Sequence, residues 1–407
     1  MRGGELERSA HAGGTAASAG GPPDGLRRAS PLPWPGATAA EWGDWRWQLR
    51  HALRTPEAIA ARLPLTPEEQ EGLWATRERF RVAIPPYYFA LIDPERPDCP
   101  VRRQMIPVAA EAQDDPAELR DPLGEDPCRP VPGIVHKYPD RVLLLLLDSC
   151  AVYCRHCTRR RITAGGAERF DREALEAAIR YVEATPAVRD VLVSGGDPLL
   201  FSDERLDALL GRLAAIRHVE MVRIGTRIPV VLPMRITEAL CRILRAHAPV
   251  YVITHFNHPK ELTPEAAAAC ERLVDHGVPV ENQTVLLRGI NSEARVIRAL
   301  NHRLLRHRVR PYYLHQGDLA EGTAHLRTPL ATGIEIIESL RGHTTGLAVP
   351  HLAVDLPGGG GKVTVQPDYV VGREGHETIL RSYTGKLYRY PDPEARDCRC
   401  TYPEERW

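Results

Sequence analysis

The chain has 407 residues, enough for one large domain with appendages or two ordinary ones, and its 53 Lys plus Arg balance 53 Asp plus Glu. Zero formal charge leaves no global basic field for nucleic acid or an anionic membrane, and the longest apolar run, residues 142–147, falls far short of the roughly 20 residues of a spanning helix. No signal-like apolar stretch follows Arg2, Glu5 and Glu7, and an odd count of nine cysteines argues against a disulfide framework, so a cytoplasmic, reducing compartment is expected.

Residues 1–40 are rich in Gly, Ala, Pro, Ser and Arg without apolar periodicity, which predicts a disordered tail. Residues 41–135 read as a helical N-terminal subdomain opened by Trp42, Trp45 and Trp47, followed from about residue 87 by a Pro- and Asp-rich wrapping segment. From 136 to 341, short apolar or β-branched runs at 142–147, 188–193, 219–225, 250–256, 278–287 and 309–314 alternate with segments of helical spacing at 171–184, 203–216, 237–247, 264–276 and 292–307. A repeat of about 30 residues is one βα unit, and parallel strands of this kind form barrels or doubly wound sheets; the expectation is an α/β fold with an open or partial TIM-like (β/α)6 barrel. Residues 342–407 change to short strands and turns, a β-rich C-terminal extension.

Chemistry concentrates at strand ends. Cys150, Cys154 and Cys157 form C-x-x-x-C-x-x-C directly after the first barrel strand, at the end where such folds build active sites. Three thiolates from one loop can hold three irons of a [4Fe-4S] cube and leave the fourth open; a zinc site with His156, or unlinked thiols, would use the same residues. Ser194-Gly195-Gly196-Asp197-Pro198 follows the second strand, and His255 and Gln283 stand at later strand ends. Pro357-Gly358-Gly359-Gly360-Gly361-Lys362 is not a phosphate loop, because Leu356 and Val363 replace its required Gly and Ser or Thr. Such a loop could present Lys362 to a flat ligand as a Schiff base, or could be a flexible surface turn with a solvated lysine.

The triplet resembles the radical S-adenosylmethionine enzymes, and its extension Cys154-Arg155-His156-Cys157-Thr158-Arg159-Arg160-Arg161 resembles the lysine 2,3-aminomutases. The likeness spans roughly residues 42–400. It implies a barrel of the radical S-adenosylmethionine type, with Cys150, Cys154 and Cys157 as ligands of a [4Fe-4S] cluster and Ser194, Gly195, Gly196, Asp197, His255 and Gln283 around S-adenosyl-L-methionine. It implies Lys362 as the pyridoxal 5'-phosphate lysine, and Lys137, Tyr138 and Arg141 as partners of the phosphate; the family commonly has Arg where this chain has Lys137, which forgoes a bidentate fork. Arg159 would grip the substrate carboxylate, and Asp318 and Asp355 the distal ammonium.

Paired acids repel a side-chain carboxylate, so the expected reaction is interconversion of L-lysine and L-β-lysine rather than of glutamate. The resemblance implies 2,3-amino migration through an external aldimine and a 5'-deoxyadenosyl radical, an electron donor of the reduced flavodoxin or ferredoxin type, a homo-oligomer, and no membrane or nucleic-acid partner. A guanidinium would also suit two aspartates, so arginine 2,3-aminomutase stays open, as does β-lysine formation for modifying a translation factor; a non-catalytic zinc or iron-sulfur protein is the remaining class. Longer members carry a zinc site, but here Cys398 and Cys400 are accompanied by Pro403 and Glu293 where further thiols are expected, which puts zinc in doubt.

Overall fold

The computed structural model describes Trp34, residues 36–163 and residues 171–393. Most of the expected tail, and Cys398 and Cys400, lie outside the described residues. Trp34 lies inside them and packs edge-on to Phe89, with ring centroids 6.3 Å apart, under the Arg62 guanidinium.

One sheet of nine strands organises the molecule, in the order in which the chain makes them: β1 (Ile134–Tyr138), β2 (Arg141–Leu145), β3 (Asp190–Ser194), β4 (Met221–Gly225), β5 (Val250–Thr254), β6 (Val280–Val285), β7 (Arg310–His315), β8 (His351–Leu356) and β9 (Gly361–Val365). Strands β2 to β8 are parallel, and the two edges are antiparallel hairpins, β1–β2 and β8–β9. A separate antiparallel sheet follows: β10 (Val370–Glu374), β11 (Glu377–Arg381) and β12 (Leu387–Pro391).

Helices join the parallel strands for reasons visible in the sequence. Asp171, Ser202, Thr237 and Thr263 each accept a hydrogen bond from a first-turn backbone N–H, satisfying donors that a helix start leaves bare. Helix Arg172–Glu183 then buries Ala174, Ala178, Ile179 and Val182, a stripe at helical spacing. In the strands the alternation has period two: Val191 and Val193 of β3, Val222 and Ile224 of β4, and Asn282 and Thr284 of β6 are buried. The alternate positions, including Ser194, Arg223, Gln283 and His315, are only half-buried, as expected of side chains turned into an open barrel interior.

The six expected strands correspond to β2–β7, and the sheet goes further. β8 and β9, which the sequence groups with the C-terminal extension, continue the barrel sheet. A loop from Gln316 to Pro329 precedes helix Leu330–Leu340, stretching the β7-to-β8 spacing beyond one ordinary unit and hiding the repeat. Residues before β2, expected as wrapping chain, supply β1. The barrel nearly closes: the Lys362 backbone N–H on β9 donates to the Tyr138 hydroxyl at the end of β1, 2.9 Å away. Among the described residues no helix is long and apolar enough to cross a membrane.

Candidate active site

The cysteine loop is seated on the glycines of the next strand end. Gly196 N–H donates to Leu147 O at 2.5 Å and Asp197 N–H to Ser149 O at 2.9 Å. Gly195 has φ +119°, and a β-carbon on Gly196 would stand 2.0 Å from Ser149 O, so backbone occupies the space that any side chain would need. The Asp197 carboxylate is taken up by Thr226 Oγ1 at 2.6 Å and by the N–H groups of Arg227 and Leu199, tying the ends of β3 and β4 together. Burial still pushes it up to about 6. Ser194 to Asp197 were expected around S-adenosylmethionine; their visible contacts shape the cysteine loop and its support.

Beneath that loop lie buried charges to which sequence reasoning gave no role. Arg155 makes a forked pair with Glu111, at 2.5 to 3.1 Å, and Arg160 bonds the same carboxylate at 2.9 Å while stacking on Phe80. Arg227 donates to Cys154 Sγ at 2.7 Å, to Glu261 at 2.7 Å and to Gln104 at 2.6 Å. Glu111 and Glu261 are fully buried. Their long sequence separations from the cysteines leave no local signal by which to find them.

The thiols are mutually close enough for Cys154 and Cys157 to push the Cys150 thiol further up, after burial, the larger cause. Burial likewise raises Cys157. Among the described residues no three His, Cys, Asp or Glu side chains converge as ligands of one ion would. His156, the alternative zinc ligand, instead lies beside Asn257 at 3.3 Å and against the His255 ring, centroids 5.3 Å apart. A cube of four irons takes one thiolate per iron, so three separated thiols beside a buried cation suit it. His255 is pushed down to about 3 by burial and then by Arg227, and its Nε2 is buried without a partner.

Lys362 and Asp355 occupy paired positions on β9 and β8, and their side chains are hydrogen-bonded. Lys362 Nζ also lies 3.3 Å from His315 Nδ1, and His315 Nε2 lies 3.0 Å from Gln283 Oε1. Gln283, expected near the adenosyl group, thus meets the lysine's neighbour. The glycine run is a strained turn: Gly358, Gly359 and Gly361 have φ +69°, +90° and +86°, and Gly124 packs so closely that its own β-carbon would meet Gly359 Cα at 2.6 Å.

Asp318 accepts from Thr158 Oγ1 at 2.6 Å, and burial pushes it up to about 6, with Asp355 adding repulsion and Lys362 and Arg159 opposing it. The two aspartates, Lys362 and Arg159 therefore share one electrostatic neighbourhood. Arg159 holds Glu125 through a fork at 2.6 to 3.2 Å. Of the expected phosphate partners, Lys137 Nζ donates to Leu123 O at 2.7 Å, while Arg141 stacks on Tyr138 at 3.9 Å and pairs with Asp140 at 2.8 Å. Tyr138 alone of the three contacts Lys362 directly. An amine held by strand pairing above a glycine turn, with a phenol and two cations nearby, fits an aldehyde phosphate cofactor.

The family described as Lysine-2,3-aminomutase is matched over residues 337–403 and the Radical SAM superfamily over residues 144–299. L-lysine 2,3-aminomutase of Fusobacterium nucleatum subsp. nucleatum is 51% identical across 92% of this chain and 88% of its own, and that of Clostridium subterminale is 52% identical across 87% and 85%. The chain belongs to the lysine 2,3-aminomutase family. The family is one of isomerases within the radical S-adenosylmethionine superfamily, which implies a [4Fe-4S] cluster and S-adenosylmethionine. Glutamate 2,3-aminomutase of Clostridioides difficile is also similar, 40% identical across 90% of this chain and 87% of its own, so family membership leaves the amino acid to be decided by the site.

Proposed function

We propose that this chain interconverts L-lysine and L-β-lysine. The observation that carries the reading is the pair Asp318 and Asp355 beside Lys362, facing the region of Arg159. Two carboxylates attract a terminal ammonium and repel the side-chain carboxylate of glutamate, and low local dielectric enlarges both effects.

Cys150, Cys154 and Cys157 would hold the [4Fe-4S] cluster, and Lys362 with Tyr138, Lys137 and Arg141 would hold pyridoxal phosphate. When bound, the cluster with S-adenosylmethionine supplies a hydrogen-abstracting carbon radical, and pyridoxal phosphate supplies the carbonyl carbon that carries the migrating nitrogen. The chain's own residues do the rest. Arg159 takes the substrate carboxylate with its fork, for which Glu125 must yield or share the guanidinium. Asp318 and Asp355 fix the far end of the substrate, so the two ends together set which carbon faces the cysteine loop. Asp355 also bonds Lys362 and so passes from the lysine of the protein to that of the substrate. A reduced flavodoxin or ferredoxin-type donor, homo-oligomeric assembly and a reducing cytoplasm complete the proposal.

The test is anaerobic incubation of cluster-reconstituted protein with S-adenosylmethionine, pyridoxal phosphate and reductant, separately with lysine, arginine and glutamate. β-Lysine is the expected product. β-Arginine would keep the paired-acid reading but move the substrate, β-glutamate would overturn it, and product found only on a translation factor would reassign the role.

A further inference from the structure

Lys362 has a neighbour that no motif assigns. His315 ends β7, and its imidazole stands between Gln283 Oε1, 3.0 Å from Nε2, and Lys362 Nζ, 3.3 Å from Nδ1. An ammonium has three donors and no acceptor, so the ring nitrogen facing Lys362 carries the lone pair. The proton then sits on Nε2, and the amide of Gln283 must present its oxygen to it. Register makes this arrangement specific: Gln283 pairs with Tyr313 across β6 and β7, two residues before His315 on the same face.

The groups facing the ring come from four elements. Lys362, itself bonded to Asp355, projects from the β8–β9 hairpin, His255 from the end of β5, Gln283 from β6, and the Tyr313 ring lies 5.2 Å away on β7 itself. Burial, then Lys362 and His255, hold the imidazole well below its ordinary range, so the ring is neutral; it is the geometry, with the Nδ1 lone pair facing Lys362 and Nε2–H facing Gln283, that makes it an acceptor for the lysine's proton.

We propose that His315 is the base that takes a proton from Lys362 Nζ, and that Gln283 is the positioning residue that aims it. The proposal rests on the reading of Lys362 as the pyridoxal phosphate lysine. One N–H of the ammonium first breaks and its proton goes to His315 Nδ1, and the electron pair left on Nζ then attacks the aldehyde carbon to form the new carbon–nitrogen bond. A second amine proton moves to the carbonyl oxygen. The proton on His315 then joins that hydroxyl, which leaves as water, and the remaining N–H stays on the imine. His315 is regenerated and nothing is oxidised or reduced. The neighbouring Asp355 keeps the nitrogen in place through both transfers.

The test mixes full-length protein with pyridoxal 5'-phosphate, follows the imine absorbance by stopped flow across pH, and then reduces with borohydride and maps the labelled peptide. In His315→Gln the final labelling of Lys362 should match the parent protein while its rate falls on the order of 10²-fold or more, with the limb of the pH–rate profile due to the imidazole lost. Gln283→Ala should slow the rate, and Gln283→Glu, which keeps an acceptor for Nε2, should restore it. An unchanged rate and profile in His315→Gln would overturn the assignment while labelled Lys362 left the cofactor reading standing. Absence of label at Lys362 in the parent protein would overturn the cofactor reading and the proposal with it. If His315→Gln does not fold, the Gln283 pair decides: equal rates for Gln283→Ala and the parent sink the proposal.

Discussion

The Arg227 guanidinium donates to Cys154 Sγ across 2.7 Å and is anchored from behind by the fully buried Glu261. A fixed cation at that sulfur is placed to offset the negative charge that iron-bound thiolates bring to the loop. Replacing Arg227 by Met removes that charge and strands Glu261 without a cation. Reconstituted Arg227→Met should hold less iron per chain than the parent and should unfold at lower denaturant, since breaking a buried ion pair costs about 3 to 5 kcal/mol. Iron assay beside urea titration checks both effects; full iron loading would show that the cation does not serve the thiols.

Gly196→Ala should separate the barrel from its cysteine loop. Its added methyl would meet Ser149 O at 2.0 Å, and backbone can yield only by moving the loop. Circular dichroism should stay close to the parent, while iron loading and reductive cleavage of S-adenosylmethionine fall together.

Asp318 predicts opposite signs for binding and stability. Burial raises its carboxyl to about 6, above the ordinary aspartate value, so the folded protein holds the proton more tightly than the unfolded chain. Its cost to stability is therefore absent below about pH 4, grows as pH rises toward 6, and is complete above. Asp318→Asn should raise the thermal midpoint of the substrate-free protein at pH 8, by something on the order of 2 kcal/mol of stability, and leave it unchanged at pH 3.5. In the parent, KM for lysine should climb as pH falls below 6, where the neutral acid no longer attracts the ammonium. Asp318→Asn should show a high KM throughout.

Glu111 anchors two arginines of the cysteine loop at once. Glu111→Gln keeps size and removes the charge between Arg155 and Arg160, leaving two buried cations in mutual repulsion. A loss of about 3 to 5 kcal/mol is expected by urea denaturation. A midpoint within error of the parent would show that Phe80 stacking and backbone oxygens suffice.

Much of this was legible in the chain and some was not, for physical reasons. Strands β2–β7 and the helices between them follow from periods of 2 and 3.6, since each buries one face locally. The thiol triplet and the lysine after four glycines stand out because chemistry needs those types at fixed spacing. Glu111, Glu261, Gln104 and Glu125 were silent: each is an ordinary residue until folding sets it against a guanidinium many residues away. Gln283 was noticed for its strand end, yet its partner depended on the β6–β7 register. β8 was misgrouped because the long loop after β7 disguised the repeat.

The hydrogen bond between Tyr138 and Lys362 joins the first and last strands of one sheet. A chain growing from its N-terminus can finish the cysteine loop, and even most of the cylinder, long before residue 362 leaves the ribosome. The amine arrives only with the closing strand. A chain terminated anywhere between the cysteine loop and residue 362 would thus lack both the closing strand and the amine, so completing the sheet and completing the site are one event.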